Sequence, residues 1–147
     1  MRGLASYGRG MATWDDVERI ALALPLVEER ADGGFEGWRT WKITGDKGRQ
    51  VVWERPMRES DLRVLGDAAP VGESIAVRTP DFETKAARLA EIDACFDIPH
   101  FATYTGVLVI LEDVDVADLQ ELIEESWLVV APKRAAKAWL AARHPTS

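Results

Sequence analysis

Apolar positions recur at helical spacing near the start of the chain. Trp14, Val17, Ile20, Ala21 and Leu24 fall on one face there, and Pro25 ends the run. Thr13 precedes them as an N-cap, and Asp15, Asp16 and Glu18 suit the positive end of the helix dipole. Residues 26–36 predict a short strand and then a loop at Asp32-Gly33-Gly34. The period then changes to two. Residues 38–43 and 50–55 predict a hairpin around Thr44-Gly45-Asp46-Lys47-Gly48-Arg49. Strict alternation puts Trp41, Ile43, Val51 and Trp53 on its core face, with Arg39 nearer the strand end. Trp38, Thr40, Lys42, Gln50, Val52 and Glu54 then point the other way.

Residues 60–66 predict one short helical turn closed by Gly66, and residues 72–79 a strand with Ile75 and Val77 inward. Asp81 caps a helix reaching Glu91, whose spacing assigns Phe82, Ala86 and Leu89 to the buried face. Residues 95–98 read as extended, and Pro99 fixes a bend before His100. The run Val-Leu-Val-Ile-Leu at 107–111 is apolar on both faces, which predicts a central strand. Asp115 starts a helix with Leu119, Leu122, Ile123 and Trp127 inside, and Pro132 opens a last helix carrying Ala136, Trp139 and Leu140. Trp14, Trp41, Trp53, Trp127 and Trp139 all take core positions; Trp38 breaks that pattern. Strands with helices gathered around them predict an α+β fold, an antiparallel β-sheet with helices packed mainly on one face. Residues 11–147 are expected to form one domain behind a flexible leader, residues 1–10, which lacks the apolar core of a signal peptide.

Composition narrows the picture. No apolar run approaches the ~20 residues of a membrane span, and a single cysteine, Cys95, excludes an internal disulfide. Both features lead us to expect a cytoplasmic protein without a membrane partner. The net charge of −7 disfavours nonspecific attraction to nucleic acid. Exposed sheet edges are compatible with a monomer or a weak dimer.

Phe96-Asp97-Ile98-Pro99-His100-Phe101, the apolar run at 107–111, and Glu124-Glu125-Ser126-Trp127-Leu128-Val129-Val130-Ala131-Pro132-Lys133-Arg134 follow one another in the last third of the chain. In that order they resemble the MmcQ/YjbR family of small bacterial proteins. The likeness spans roughly residues 13–134 and is strongest after Phe96. It implies a CyaY-like (frataxin-like) fold and, by fold-level analogy, a non-catalytic DNA-binding protein. The alternative is a protein-interaction or small-ligand adaptor with no nucleic-acid role, favoured by the negative charge, the acidic helix and a Trp38 expected to be exposed.

The residues themselves offer two basic segments. Between Gly37 and Arg58 stand six basic residues, Arg39, Lys42, Lys47, Arg49, Arg55 and Arg58, against Asp46 and Glu54. Lys42, Lys47 and Arg49 are the candidate phosphate contacts there, with Trp38 as a stacking ring. An edge hairpin also uses such charges merely to resist aggregation. The last helix adds Lys133, Arg134 and Lys137, cations that oppose the dipole at its N-terminus. Their alternative use is a salt bridge to Glu124, Glu125 or another acid. His100 and Tyr104 are candidate ligand contacts, although His100 is read first as the group that ties down the loop from Pro99 to Gly106. Asp115, Asp118, Glu121 and Glu125 form one outer ridge, whereas a hard cation needs oxygens converging from several directions. No phosphate loop, dinucleotide fingerprint, zinc spacing or catalytic triad occurs, so neither cofactor, metal nor catalysis is expected.

Overall fold

The computed structural model describes residues 11–30 and 35–143. The expected leader and the Asp32-Gly33-Gly34 loop lie outside the described residues. These form α1 (Trp14–Leu22), β1 (Val27–Glu29), β2 (Thr40–Ile43), β3 (Gln50–Glu54) and α2 (Glu59–Leu65). They continue as β4 (Ser74–Arg78), α3 (Phe82–Glu91), β5 (Cys95–Phe96), β6 (Gly106–Ile110), α4 (Val116–Val130) and α5 (Lys133–Arg143). The strands make one six-stranded sheet in the order β1-β2-β3-β4-β6-β5, antiparallel throughout. The fold is therefore α+β. No described helix is long and apolar enough to cross a membrane.

Local chemistry sets the helix starts. Thr13 and Asp16 form a reciprocal capping box on α1, and the carboxylates of Asp81 and Asp115 accept the free amides of Thr84 and Asp118 at α3 and α4. α1 and α4 then bury Val17, Ile20, Leu119, Leu122, Ile123 and Trp127 against Trp41, Val52, Val77, Val107 and Val109 of the sheet. Burial of such side chains contributes about 1.5–3 kcal/mol each. The opposite face carries a smaller cluster of Trp53, Ala76, Leu108, Ile98 and Phe101, covered by Met57, Leu65 and Tyr104. Helices thus pack mainly on one face, while α2 and the turn Pro99–Phe101 close part of the other.

Strict alternation fails at one place, and the cause is a β-bulge. Trp41 faces Val52, but Lys42 faces Gln50, so β3 contains one extra residue, Val51. Val51 and Val52 therefore both enter the main core. Trp53 is carried to the second face, opposite Thr40 and Ala76. The expected positions of Val52 and Trp53 are exchanged. Ser126 of α4 anchors this irregularity, since its buried hydroxyl donates to the carbonyl of Val51 and accepts the Arg78 amide at 2.9 Å. Ser126→Ala leaves a donor and an acceptor poorly satisfied, and we expect a loss of about 1–3 kcal/mol in urea unfolding. An unchanged midpoint would show that water replaces the hydroxyl.

The buried face of α3 also differs from its apolar spacing. Phe82 is 54% exposed and Ala86 is exposed, whereas Lys85 is buried at 4%. Its hydrocarbon stem runs inward, and its ammonium meets backbone carbonyls at the end.

Candidate functional site

The second face of the sheet carries a row of alternating cations and rings. Arg58 lies over Trp38 at 5.2 Å, and Arg55 approaches both Trp38 and Phe101, at 5.9 and 5.7 Å. Phe101 meets Tyr104 edge-on at 5.1 Å, and Arg78 lies over Tyr104 and Trp53 at 5.9 and 5.4 Å. Each contact has the separation of a cation–π or aromatic pair. Two shallow clefts open along this row. One, of about 400 Å³, is lined by Arg55, Arg58, Ser60, Asp61 and His100, and the other, of about 300 Å³, by His100, Phe101 and Tyr104.

Each side chain has a distinct anchor. Arg55 is buried and paired with the equally buried Asp61 at 3.3 Å; Asp61 also accepts the Arg58 amide at 2.9 Å. Arg58 is half exposed and reaches Glu36 at 3.1 Å. Arg78 donates through Nε to the Gln50 carbonyl at 2.7 Å and has no carboxylate partner among the described residues. Burial lowers its pKa, Tyr104 opposes that shift, and the nearby charge of Arg49 adds to the lowering. Tyr104 is shifted up, chiefly by burial. Its ring lies against Gly106, where a Cβ would come within 2.4 Å of the ring carbon Cε2. Only glycine leaves that room.

The loop that presents Tyr104 is held by a residue that the spacing argument missed. Lys85 Nζ donates to the carbonyls of Phe101 and Tyr104, each at 2.6 Å, and pairs with Asp97 at 3.3 Å. His100 does not perform this role; it is exposed, beside Phe101, and lines both clefts. A lysine in an amphipathic helix reads as a surface residue, so no signal in the sequence distinguished Lys85.

The predicted phosphate contacts separate into two groups. Lys42 is buried, and its ammonium donates to Glu28 at 3.2 Å and to the carbonyls of Ile43 and Gly45 at 2.8 and 2.7 Å. It braces the hairpin turn from inside and presents no charge to a partner. Lys47, Arg49, Lys133, Arg134 and Lys137 are exposed, and none has a carboxylate partner among the described residues. The salt bridges considered for Lys133 and Arg134 do not form with Glu124 or Glu125. Those acids are taken by Arg143 at 3.2 Å and by Arg88, which grips Glu125 through two nitrogens at 3.1 and 2.7 Å.

The hairpin cations and the start of α5 lie toward one end of the sheet. Ser126 bonds to Val51 and Arg78, and Trp127 Nε1 donates to Pro25 at 2.9 Å, so α4 finishes beside the hairpin end. α5 then turns back, placing Trp139 5.3 Å from Trp127 and Arg143 against Glu124. Lys133 and Arg134 therefore start α5 at the end that carries Lys47, Arg49 and Arg78.

Other chemistry is sparse here. Cys95 is buried, and desolvation pushes its thiol up to about 12, which leaves it protonated and unreactive at neutral pH. Among the described residues, no three His, Cys, Asp or Glu side chains converge as a metal would require. Asp115, the first member of the acidic ridge, caps α4.

Uncharacterised proteins of Mycobacterium tuberculosis and Mycobacterium bovis are 43% identical to this chain over 136 residues, covering 89% of it and 98% of each relative. The chain belongs to their family. Such identity over nearly the whole of both chains implies the same fold and the same arrangement of elements. No family model matches the sequence. A crystal structure of the Deinococcus radiodurans protein DR2400, described as a DUF419 domain, superposes with a TM-score of 0.59. It is 21% identical, and the match covers 87% of this chain and 85% of that one. This family of mycobacterial-type proteins therefore shares its fold with a DUF419 domain.

Proposed function

We propose that the protein is a non-catalytic DNA-binding protein whose phosphate contacts come from the hairpin end of the sheet. The observation that carries this reading is the segregation of its cations. Most arginines and lysines elsewhere are committed to a carboxylate: Arg19, Arg39, Lys42, Arg55, Arg58, Lys85, Arg88 and Arg143 all have one within 4 Å. Among the described residues Lys47, Arg49, Lys133, Arg134 and Lys137, like Arg63 on α2, have none; the hairpin pair and the start of α5 lie toward the end of the sheet where β4 finishes at Arg78. Free exposed cations are what counterion release from DNA requires.

The net charge of −7 opposes this reading at long range. Its effect fades beyond a Debye length of about 8–10 Å, so a local basic surface still meets phosphates. The resemblance to the MmcQ/YjbR family, with its Ala-Pro-Lys-Arg segment, supports the same assignment.

Fluorescence anisotropy of labelled duplex and single-stranded DNA at about 50 and 200 mM salt tests it. Saturable binding that falls steeply with salt is expected. Lys47→Glu/Arg49→Glu and Lys133→Glu/Arg134→Glu should each weaken binding at least tenfold and reduce the logarithmic salt slope by about 2. Undiminished binding in both double variants rejects the assignment. An adaptor with no nucleic-acid role is the conclusion if no DNA binds at the lower salt.

A further inference from the structure

We infer that the nucleic acid this protein takes is single-stranded, and that its bases stack along the second face of the sheet. Tyr104 and Trp38 are the stacking rings, and Arg78 and Arg49 the phosphate contacts. The inference rests on the DNA-binding reading and specifies its substrate class.

Three observations carry it. First, the row on the second face combines guanidinium groups with rings that remain partly open. Trp38 and Tyr104 are half-buried and His100 is exposed, whereas Phe101 and Trp53 are buried beneath them. Duplex DNA hides its base faces, so exposed rings interleaved with cations suit a strand whose bases are free to stack.

Second, Arg78 is a partly buried cation with no carboxylate partner among the described residues. Its Nε is satisfied by Gln50, its guanidinium is flanked by Trp53 and Tyr104, and the positive charge of Arg49 acts on it unfavourably. A phosphate between Arg78 and Arg49 would offset both the desolvation and the repulsion. Arg78 ends β4 at the hairpin end, so the row joins the free cations described above.

Third, the rings are held before any ligand arrives. Gly106 lets Tyr104 lie against the sheet, and Lys85 fixes the carbonyls at both ends of the Phe101–Tyr104 segment. A fixed platform keeps down the ordering cost of binding.

The test compares an oligothymidine of about 12 nucleotides with an abasic oligonucleotide of equal length and with duplex DNA, by anisotropy and tryptophan quenching. Oligothymidine is expected to bind most tightly and to quench tryptophan. Tyr104→Leu should weaken it about 5- to 100-fold, the range for losing one stacked base, while Tyr104→Phe binds as the parent does. Trp38→Leu should act similarly and remove part of the quenching. Arg78→Gln should weaken oligothymidine and the abasic strand alike. Thermal melts within a few degrees of the parent identify which variants report on binding, and the Tyr104 and Trp38 variants back each other up.

Equal affinity for abasic and base-bearing strands overturns the inference. So does a preference for duplex that survives Tyr104→Leu and Trp38→Leu, but if that binding still requires Lys47, Arg49, Lys133 and Arg134, the DNA-binding reading stands. Absence of binding to all three polymers overturns both.

Discussion

Lys85→Met is expected to destabilise the protein by about 3–6 kcal/mol and to release the loop that carries Tyr104. The ammonium of Lys85 makes charge-assisted hydrogen bonds to two carbonyls, each at 2.6 Å, from a side chain only 5% exposed. Hydrogen bonds to a charged group contribute about 1.5–3 kcal/mol each; without Lys85 the Tyr104 carbonyl loses its side-chain donor, and the Phe101 carbonyl keeps only the Tyr104 amide at 2.9 Å. Methionine nearly conserves the volume of the stem, so packing loss adds little. Asp97 is a minor term, because it is 34% exposed and its Oδ1 already accepts the Ile98 amide at 3.0 Å. Against a total of about 5–15 kcal/mol, the loss leaves a marginal protein. Urea unfolding measures the cost. Hydrogen exchange locates it, with faster exchange expected in residues 99–106 than in α4. A cost below about 1 kcal/mol would mean that water readily replaces the ammonium.

Lys85 also shows why part of this molecule was legible in the sequence and part was not. The inner face of α4 could be read because Leu119, Leu122, Ile123 and Trp127 obey a 3.6-residue period, and all four are buried at 0–1% exposure. The caps Thr13, Asp81 and Asp115 were legible for the same kind of reason, being local, with donor and acceptor three residues apart. α3 misled because period alone cannot foresee a lysine whose acceptors lie 16 and 19 residues away. The hairpin misled at Val51 because a bulge shifts register by one residue and reverses every later side chain.

The candidate site divides along the same line. Lys47, Arg49, Lys133, Arg134 and Lys137 are exposed as their positions in a turn and a short basic helix suggest. Lys42 sits among them in sequence and is buried because Glu28 of a neighbouring strand lies opposite it. Arg78 gave no signal at all. Its place in the row comes from Gln50 and Trp53 of β3 and from Tyr104 of the loop before β6, both distant from it in sequence.

Asp61→Ala is expected to cost about 3–5 kcal/mol, whereas replacing Asp61 and Arg55 together should cost much less. The two side chains are 4% and 5% exposed, so removal of the carboxylate strands a guanidinium in a setting where water cannot solvate it. The Arg58 amide at the start of α2 loses its acceptor in the same change. Coulomb attraction in the pair is largely offset by the desolvation of both charges, so the pair as a unit adds little net stability. The double variant Asp61→Leu/Arg55→Met removes both desolvation terms and keeps apolar volume against Phe101. A cycle of urea unfolding over the parent, both single variants and the double should give a coupling of several kcal/mol. Near-additive losses would mean that solvent reaches the pair and that the α2 side of the second face is open. The double variant also isolates the binding question. It removes the cation between Trp38 and Phe101 but leaves Tyr104, Arg78 and the hairpin end intact, so single-stranded DNA should still bind, with Trp38 contributing less. On the proposed reading Arg55 positions the Trp38 ring, and the proposed phosphate contacts Arg78 and Arg49 stay in place.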